Sequence, residues 1–245
     1  MWNDIRSAIQ FLTILPVGQI RHFDPRGTLV QFPLGGLLIG ILLVIVDSVA
    51  GSIWDPAATA VIDVVTLALI TGALHLDGLA DTADGLYGRR PPEKALAIMK
   101  DSRIGAIGMV AVVCCLGIKW AGLAGIAHQR AVWLLLIPAF ARTTVLFGTR
   151  ILPYGRPGGG TGHPFFQNPL RIRDFWGVAA LLALTTMISG WGVLWIVIGS
   201  AGLMVGVLTY YRVKINCITG DMLGAMIEVT ETGLFLLIAA SMGPA

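Results

Sequence analysis

Apolar residues fall along the chain in runs of about 20, the length an α-helix needs to cross a hydrocarbon layer roughly 30 Å thick. Runs at 28–50, 57–76, 104–126, 131–152, 174–190, 192–211 and 218–242 predict seven spans. The tightest connection, Ser189-Gly190-Trp191-Gly192, leaves room only for a turn between the fifth and sixth. Ahead of the spans, Ile5, Ile9 and Leu12, with Ala8, Phe11 and Leu15, recur at spacings of three and four over residues 2–15. That pattern predicts a short amphipathic helix lying in the membrane interface. The start, Met1-Trp2-Asn3-Asp4-Ile5-Arg6, lacks a basic leader, and Thr13 and Pro16 interrupt the first apolar stretch, so no cleavable signal is expected. The fold class is therefore all-α: a polytopic transmembrane helix bundle in which residues 1–245 form one integral membrane domain.

Composition strengthens this picture. Hydrophobic residues make up 56%, charged residues 13%, and the mean hydropathy is +0.79, values foreign to a soluble chain. Seven spans use roughly 140 residues, which leaves short loops and no separate soluble domain, so any chemistry sits on the helices and their connections. The net charge of +3 does not point to nucleic acid, because the basic residues lie in short loops between apolar runs. Fourteen of the seventeen Lys and Arg residues fall in the N-terminus and loops 77–103, 150–173 and 212–217. Lys119 and Arg130 are assigned to the opposite side, and Arg142 lies inside the fourth span. This asymmetry assigns the first side to the cytoplasm. Cys114, Cys115 and Cys217 suggest no disulfide framework, and Gly36 with Gly40, and Gly202 with Gly206, have the spacing of close helix packing.

Three clusters carry candidate chemistry, all at the cytoplasmic side. The first, from His75 through Asp77, Asp81 and Asp84 to Gly85, follows the second span. On a helix the three aspartates share a stripe about 60° wide. Crowded carboxylates repel one another, and at a helix C-terminus they oppose the macrodipole, so a hard cation gives the arrangement its physical sense. All-oxygen donors favour Mg²⁺, with Mn²⁺ as the alternative, over Zn²⁺, and Leu79 breaks the calcium-loop pattern. His75 is read equally as a packed or a catalytic side chain.

The second cluster, Lys100-Asp101-Ser102-Arg103-Ile104-Gly105, opens the third span. Ser102 as a cap, free amides at the helix start, Lys100 and Arg103 together describe an anion site suited to phosphate, or else an ordinary capped helix with basic anchors. The third cluster opens the last span with Thr219-Gly220-Asp221 and continues on the same face with Glu228 and Glu231. Buried acids need partners, and Arg142 is placed to pair with Glu228 or Glu231, as a structural ion pair or as part of a substrate site. The glycine-rich stretch 154–164 is either a mobile lid approaching phosphate or a plain connector. Together these features describe phosphoryl-transfer chemistry at a membrane face, with the lipid bilayer as a partner and a homo-oligomer admitted.

Several stretches jointly resemble the cobalamin synthase family of adenosylcobinamide-GDP ribazoletransferases. They are Phe11-Leu12-Thr13 with Pro16-Val17, the stretch from Phe32 to Gly40, His75 to Leu86, Met99 to Gly105, and Thr219-Gly220-Asp221 with Leu223-Gly224-Ala225 and Glu228. One departure is Asn216-Cys217-Ile218, where the family pattern has glycines, and it bears on the backbone geometry there. The resemblance implies a Mg²⁺-dependent enzyme of a bacterial or archaeal cytoplasmic membrane, with its active site facing the cytoplasm. Such an enzyme joins adenosylcobinamide-GDP to α-ribazole or its 5′-phosphate and releases GMP, completing the nucleotide loop of cobalamin.

On that reading Asp77, Asp81 and Asp84 hold the metal and Lys100 and Arg103 bind phosphate. Asp101 or Asp221 serves a second metal or removes the hydroxyl proton. His75, Ser102, Arg142, Thr219, Glu228 and Glu231 complete the substrate site. Two rivals stand beside it. A CDP-alcohol phosphotransferase also carries intramembrane aspartates, but its later Ala-Arg and Gly-Asp-Asp elements are missing after Asp77-Gly78. A cation-coupled transporter would use Asp221, Glu228 and Glu231, yet leaves the Asp77 cluster unexplained.

Overall fold

The computed structural model describes residues 1–20, 22–156 and 159–241, and within them the chain is built from helices, with one isolated parallel bridge between Tyr154 and Ile218. Helix α1 (Trp2–Leu12) and the short α2 (Pro25–Val30) precede α3 (Phe32–Gly51), α4 (Pro56–Ile70) and α5 (Leu74–Leu86). The short α6 (Pro92–Ile98) leads to α7 (Ala106–Gly125) and α8 (Arg130–Ile151). A single turn, α9 (Pro164–Gln167), and a 3-10 turn (Ile172–Phe175) precede α10 (Trp176–Ser189), α11 (Gly192–Lys214) and α12 (Gly220–Ser241).

Among the described residues six helical stretches are long and apolar enough to cross a membrane, and α4 with α5 makes a seventh only as a pair bent by 88°. The protein is a multi-pass membrane protein by these spans. The apolar windows of α8 and α12 are 78% and 72% buried against 11% for α11, so the bundle is organised around α8 and α12 while α11 lies at its edge. Gly36 and Gly40 pack as their spacing predicts: a Cβ on Gly36 would lie 2.5 Å from the Ala139 Cα, so α3 and α8 meet backbone to backbone. Gly202 and Gly206 do not. Nothing lies within 4 Å of a Cβ built on either, because they sit on the peripheral helix.

The bend after α4 corrects the expectation that the second span continues through residue 76. Gly72 (φ 58°) and Ala73 (φ 55°) both adopt the left-handed conformation, which glycine accepts freely and alanine only at a cost of about 1 kcal/mol. The N-terminal segment holds the chain there. Ile14 donates its amide to the carbonyl of Ile70 at 2.8 Å, satisfying an acceptor that the end of α4 leaves open. Arg6 clasps the same segment by donating to the carbonyls of Val17 and Gln19. The acidic stretch therefore belongs to a new helix. Asp77 lies in the first turn of α5, where the macrodipole favours a negative charge, and not at the C-terminus of a span.

The basic loops gather at one end of the bundle. Lys214 donates to the carbonyl of Gly88 at 2.8 Å, and the amides of Gly155 and Ile218 pair with the carbonyls of Ile218 and Pro153. At the other end Trp120 donates to the Ala57 carbonyl, and Arg130 bridges Asp47 and Asp63 at 2.7 and 2.6 Å. Lys119 does not join Arg130 in a loop. It lies inside α7, only 2% exposed, so among the described residues the basic side chains of the loops and termini divide thirteen to one between the two faces.

Candidate active site

Two glycines bring the first and third acidic clusters together. A Cβ on Gly78 would lie 2.7 Å from the Asp221 carbonyl oxygen, and one on Gly224 would lie 3.3 Å from the His75 Cα. Helices α5 and α12 consequently approach to backbone contact, with His75 and Asp77 set beside Asp221. Thr219 is fully buried and accepts a hydrogen bond from the amide of Met222 at 3.3 Å, which secures the turn that presents Asp221. Asn216 just before it is left-handed (φ 51°), a conformation that glycine or asparagine takes most readily. Asparagine thus meets the left-handed position where glycine was expected, while the Cys217 side chain fills the space over Gly155.

His75, Asp77 and Asp221 line a cavity of about 50 Å³. Its apolar wall is an aromatic cluster contributed by three separate segments: Phe11 stacks on Phe32 at 5.7 Å, and Phe165 meets both rings edge-on at 5.0 and 5.8 Å. Thr161 and Gly162 of the glycine-rich loop close the cavity against Gly220. Both ring nitrogens of the buried His75 lack a hydrogen-bond partner. Arg156, from the same loop, reaches Asp221 at 2.6 Å.

The three aspartates of α5 do not share one fate. Both oxygens of Asp84 accept backbone hydrogen bonds, from Gly105 at 2.7 Å and Gly108 at 2.9 Å. This side chain therefore caps α7, and the amides expected to bind phosphate are filled by the protein's own carboxylate. Ser102 does not cap that helix; Gly105 occupies the cap position, and neither Gly105 nor Gly108 leaves room for a Cβ against Asp84. Asp81 feels the negative charges of Asp77, Asp221 and Asp84, opposed by Arg156. Among the described residues no three His, Cys, Asp or Glu side chains converge closely enough to hold a metal ion. The donor set is nevertheless one a hard divalent cation fits: carboxylate oxygen throughout, with an excess of negative charge around Asp81.

The remaining expected residues fall into two other places. Lys100, Ser102 and Arg103 lie on an exposed turn, where the Arg103 guanidinium, hydrogen-bonded to Asp101, holds that carboxyl down at about 2. Arg142, Glu228 and Glu231 lie within the bundle. Arg142 pairs with Glu231, as one of the two expected pairings requires. Lys119 enters the same network, 2.7 Å from both Glu228 and Glu231, so two cations balance two carboxylates in a site sealed from solvent. Sequence reasoning missed Lys119 here. Its position inside the apolar run 104–126 was the available signal. Arg156 was also missed, since a flexible-looking glycine-rich stretch says nothing about which carboxylate it faces.

A family profile for cobalamin-5-phosphate synthase matches residues 4–239 of the chain. The sequence is 37% identical over 237 residues to an adenosylcobinamide-GDP ribazoletransferase from Roseiflexus sp. (strain RS-1), covering 93% of this chain and 85% of that one. Relatives of the same name from Bradyrhizobium diazoefficiens and Syntrophobacter fumaroxidans are 35% and 34% identical, covering 97% and 99% of this chain and 93% and 100% of theirs. No solved structure matches.

Proposed function

The chain belongs to the cobalamin-5-phosphate synthase family, and from that premise we propose that it is an adenosylcobinamide-GDP ribazoletransferase. It joins adenosylcobinamide-GDP to α-ribazole or α-ribazole 5′-phosphate and releases GMP. The observation that carries the site assignment is the juxtaposition of Asp77 and His75 with Asp221 across the α5–α12 contact.

In the reaction a ribose hydroxyl attacks the phosphorus attached to cobinamide. The new P–O bond replaces the bond to GMP, which leaves with the diphosphate's bridging oxygen, and the hydroxyl proton must be accepted. Asp221 is the proposed acceptor, since it borders the cavity, whereas Asp101 is held ionised by Arg103 and is a correspondingly weak base. His75 presents an unpartnered ring nitrogen to orient the nucleophile or a phosphate oxygen. The aromatic wall of Phe11, Phe32 and Phe165 excludes water on one side. Mg²⁺, with Mn²⁺ as a substitute, would be held by Asp77 and Asp81, with Asp84 contributing lone pairs left over from its two amide bonds. Bound there, the ion neutralises diphosphate charge.

Sidedness is part of the proposal. The excess of basic residues in the loops of one face favours the cytoplasm, and this supports a site at the inner face of the cytoplasmic membrane. The transporter alternative loses its support, because Glu228 and Glu231 are already neutralised by Lys119 and Arg142. Purified protein in liposomes, given adenosylcobinamide-GDP, α-ribazole 5′-phosphate and a Mg²⁺ titration, is expected to release GMP. Well-folded protein that releases none under any metal would refute the reaction.

A further inference from the structure

We propose that Arg156 binds the phosphate oxygens of the incoming substrate, and that its pair with Asp221 is a resting contact which the substrate displaces. The inference rests on the reaction class proposed above and adds a binding residue in the loop that covers the site.

The cavity is acidic where a diphosphate must approach. Asp77 and Asp221 line it, and Asp81 lies within their electrostatic reach. Among the described residues, Arg156 is the cation whose charge acts on both Asp81 and Asp221. Its present contact is an incomplete one. The Arg156 Nη2 lies 2.6 Å from Asp221 Oδ2, an ion pair made through one guanidinium nitrogen, and Nε is buried without a hydrogen-bond partner. A guanidinium offers a planar fork of donors that matches phosphate oxygens two at a time. A diphosphate oxygen pair would engage the fork whole, reaching the buried Nε that Asp221 leaves open as well as the Nη2 it occupies. A second set of unsatisfied donors and acceptors borders the same cavity: both nitrogens of the fully buried His75.

The loop is built to exchange one partner for the other. A Cβ on Gly162 would lie 3.0 Å from the Gly220 Cα, so the loop rests directly on the start of α12. With the loop in place the cavity of about 50 Å³ is far too small for a nucleoside diphosphate. Gly159 and Gly160, at φ 115° and 123°, supply a backbone conformation closed to other residues and sit between Arg156 and the contact at Gly162. Phosphate that engages Arg156 draws it from Asp221, which frees the carboxylate for the hydroxyl proton.

The test uses full-length protein in detergent. GDP binding is measured by equilibrium dialysis in EDTA, and KM for adenosylcobinamide-GDP is measured with Mg²⁺. Arg156→Ala should weaken GDP binding and raise KM by roughly 10-fold or more, the worth of one charge-assisted bond, with Arg156→Lys intermediate. Asp221→Asn should bind GDP several-fold more tightly than the unmodified protein, since it releases the guanidinium. That gain should vanish in the double variant Arg156→Ala/Asp221→Asn, whereas mere relief of charge repulsion would leave it intact. Unchanged affinity and KM in Arg156→Ala, a gain that persists in the double variant, or no measurable GDP binding by Asp221→Asn would each overturn the proposal. If Arg156→Ala fails to fold, as judged by melting in detergent, Arg156→Lys and Asp221→Asn carry the same comparison. Absence of GMP release by the unmodified protein would count against the reaction and not against Arg156, because GDP binding is read without turnover.

Discussion

Replacing Lys119 by Met removes one charge from a site that holds four. Lys119 lies 2.7 Å from both Glu228 and Glu231, and Arg142 pairs with Glu231 alone. All four side chains are at most 4% exposed, so nothing from solvent can replace the missing ammonium. The substitution leaves two carboxylates facing one guanidinium, with Glu228 losing its only ion-pair partner among the described residues. Breaking a buried pair from one side costs about 3–5 kcal/mol, because the surviving charge stays desolvated. The choice of second substitution sharpens the test. Adding Glu228→Gln restores neutrality and keeps the Arg142–Glu231 pair, so more than half of the loss should return. Adding Glu231→Gln also restores net neutrality but strips Arg142 of its partner, so it should rescue far less. Reversible unfolding in mixed detergent micelles reads these three variants, and Glu228→Gln alone, against the unmodified protein. The coupling energy between Lys119 and Glu228 should be on the order of 2 kcal/mol. Strictly additive losses, or equal rescue by the two glutamine substitutions, would refute the description of the network as two cations shared between two acids.

Asp77→Asn and Asp81→Asn should each weaken Mg²⁺ binding and greatly reduce GMP release, with a less than additive double variant because one damaged site is not lost twice. Asp84→Asn should in addition lower stability by about 1–2 kcal/mol, since it weakens the cap on α7. Near-normal turnover with all three changes would exclude the metal site. Gly78→Ala forces α5 away from Asp221 and should cost roughly 100-fold in GMP release through misplacement of the site. Gly117→Ala meets nothing within 4 Å and should leave activity unchanged, and equal effects of the two would remove the role given to the helix contact. A single cysteine introduced at Arg90, with Cys114, Cys115 and Cys217 removed, should resist an impermeant reagent added outside intact cells, and its labelling there would invert the proposed topology.

Much of this protein is determined by its linear pattern. A membrane offers one dominant solution to an apolar run of about 20 residues, a helix with its backbone hydrogen bonds satisfied internally, so six of the seven spans can be read from hydropathy. Basic loops mark a face by the same one-dimensional logic, and the i, i+4, i+7 spacing of Asp77, Asp81 and Asp84 places them on one stripe of a single helix. Tertiary structure decided what each charge does. Hydropathy runs on through the break at Gly72 and Ala73, because the bend depends on an amide from Ile14, far away in sequence. Asp84 looks equivalent to its two neighbours until α7 is packed against it and supplies amides to both oxygens. Lys119 looks like a loop anchor until α12 brings two glutamates to it, and Arg156 looks like part of a connector until the loop lies on Gly220. A carboxylate or a cation is defined by its partner across helices, and the partner is fixed by long-range packing that no local spacing records.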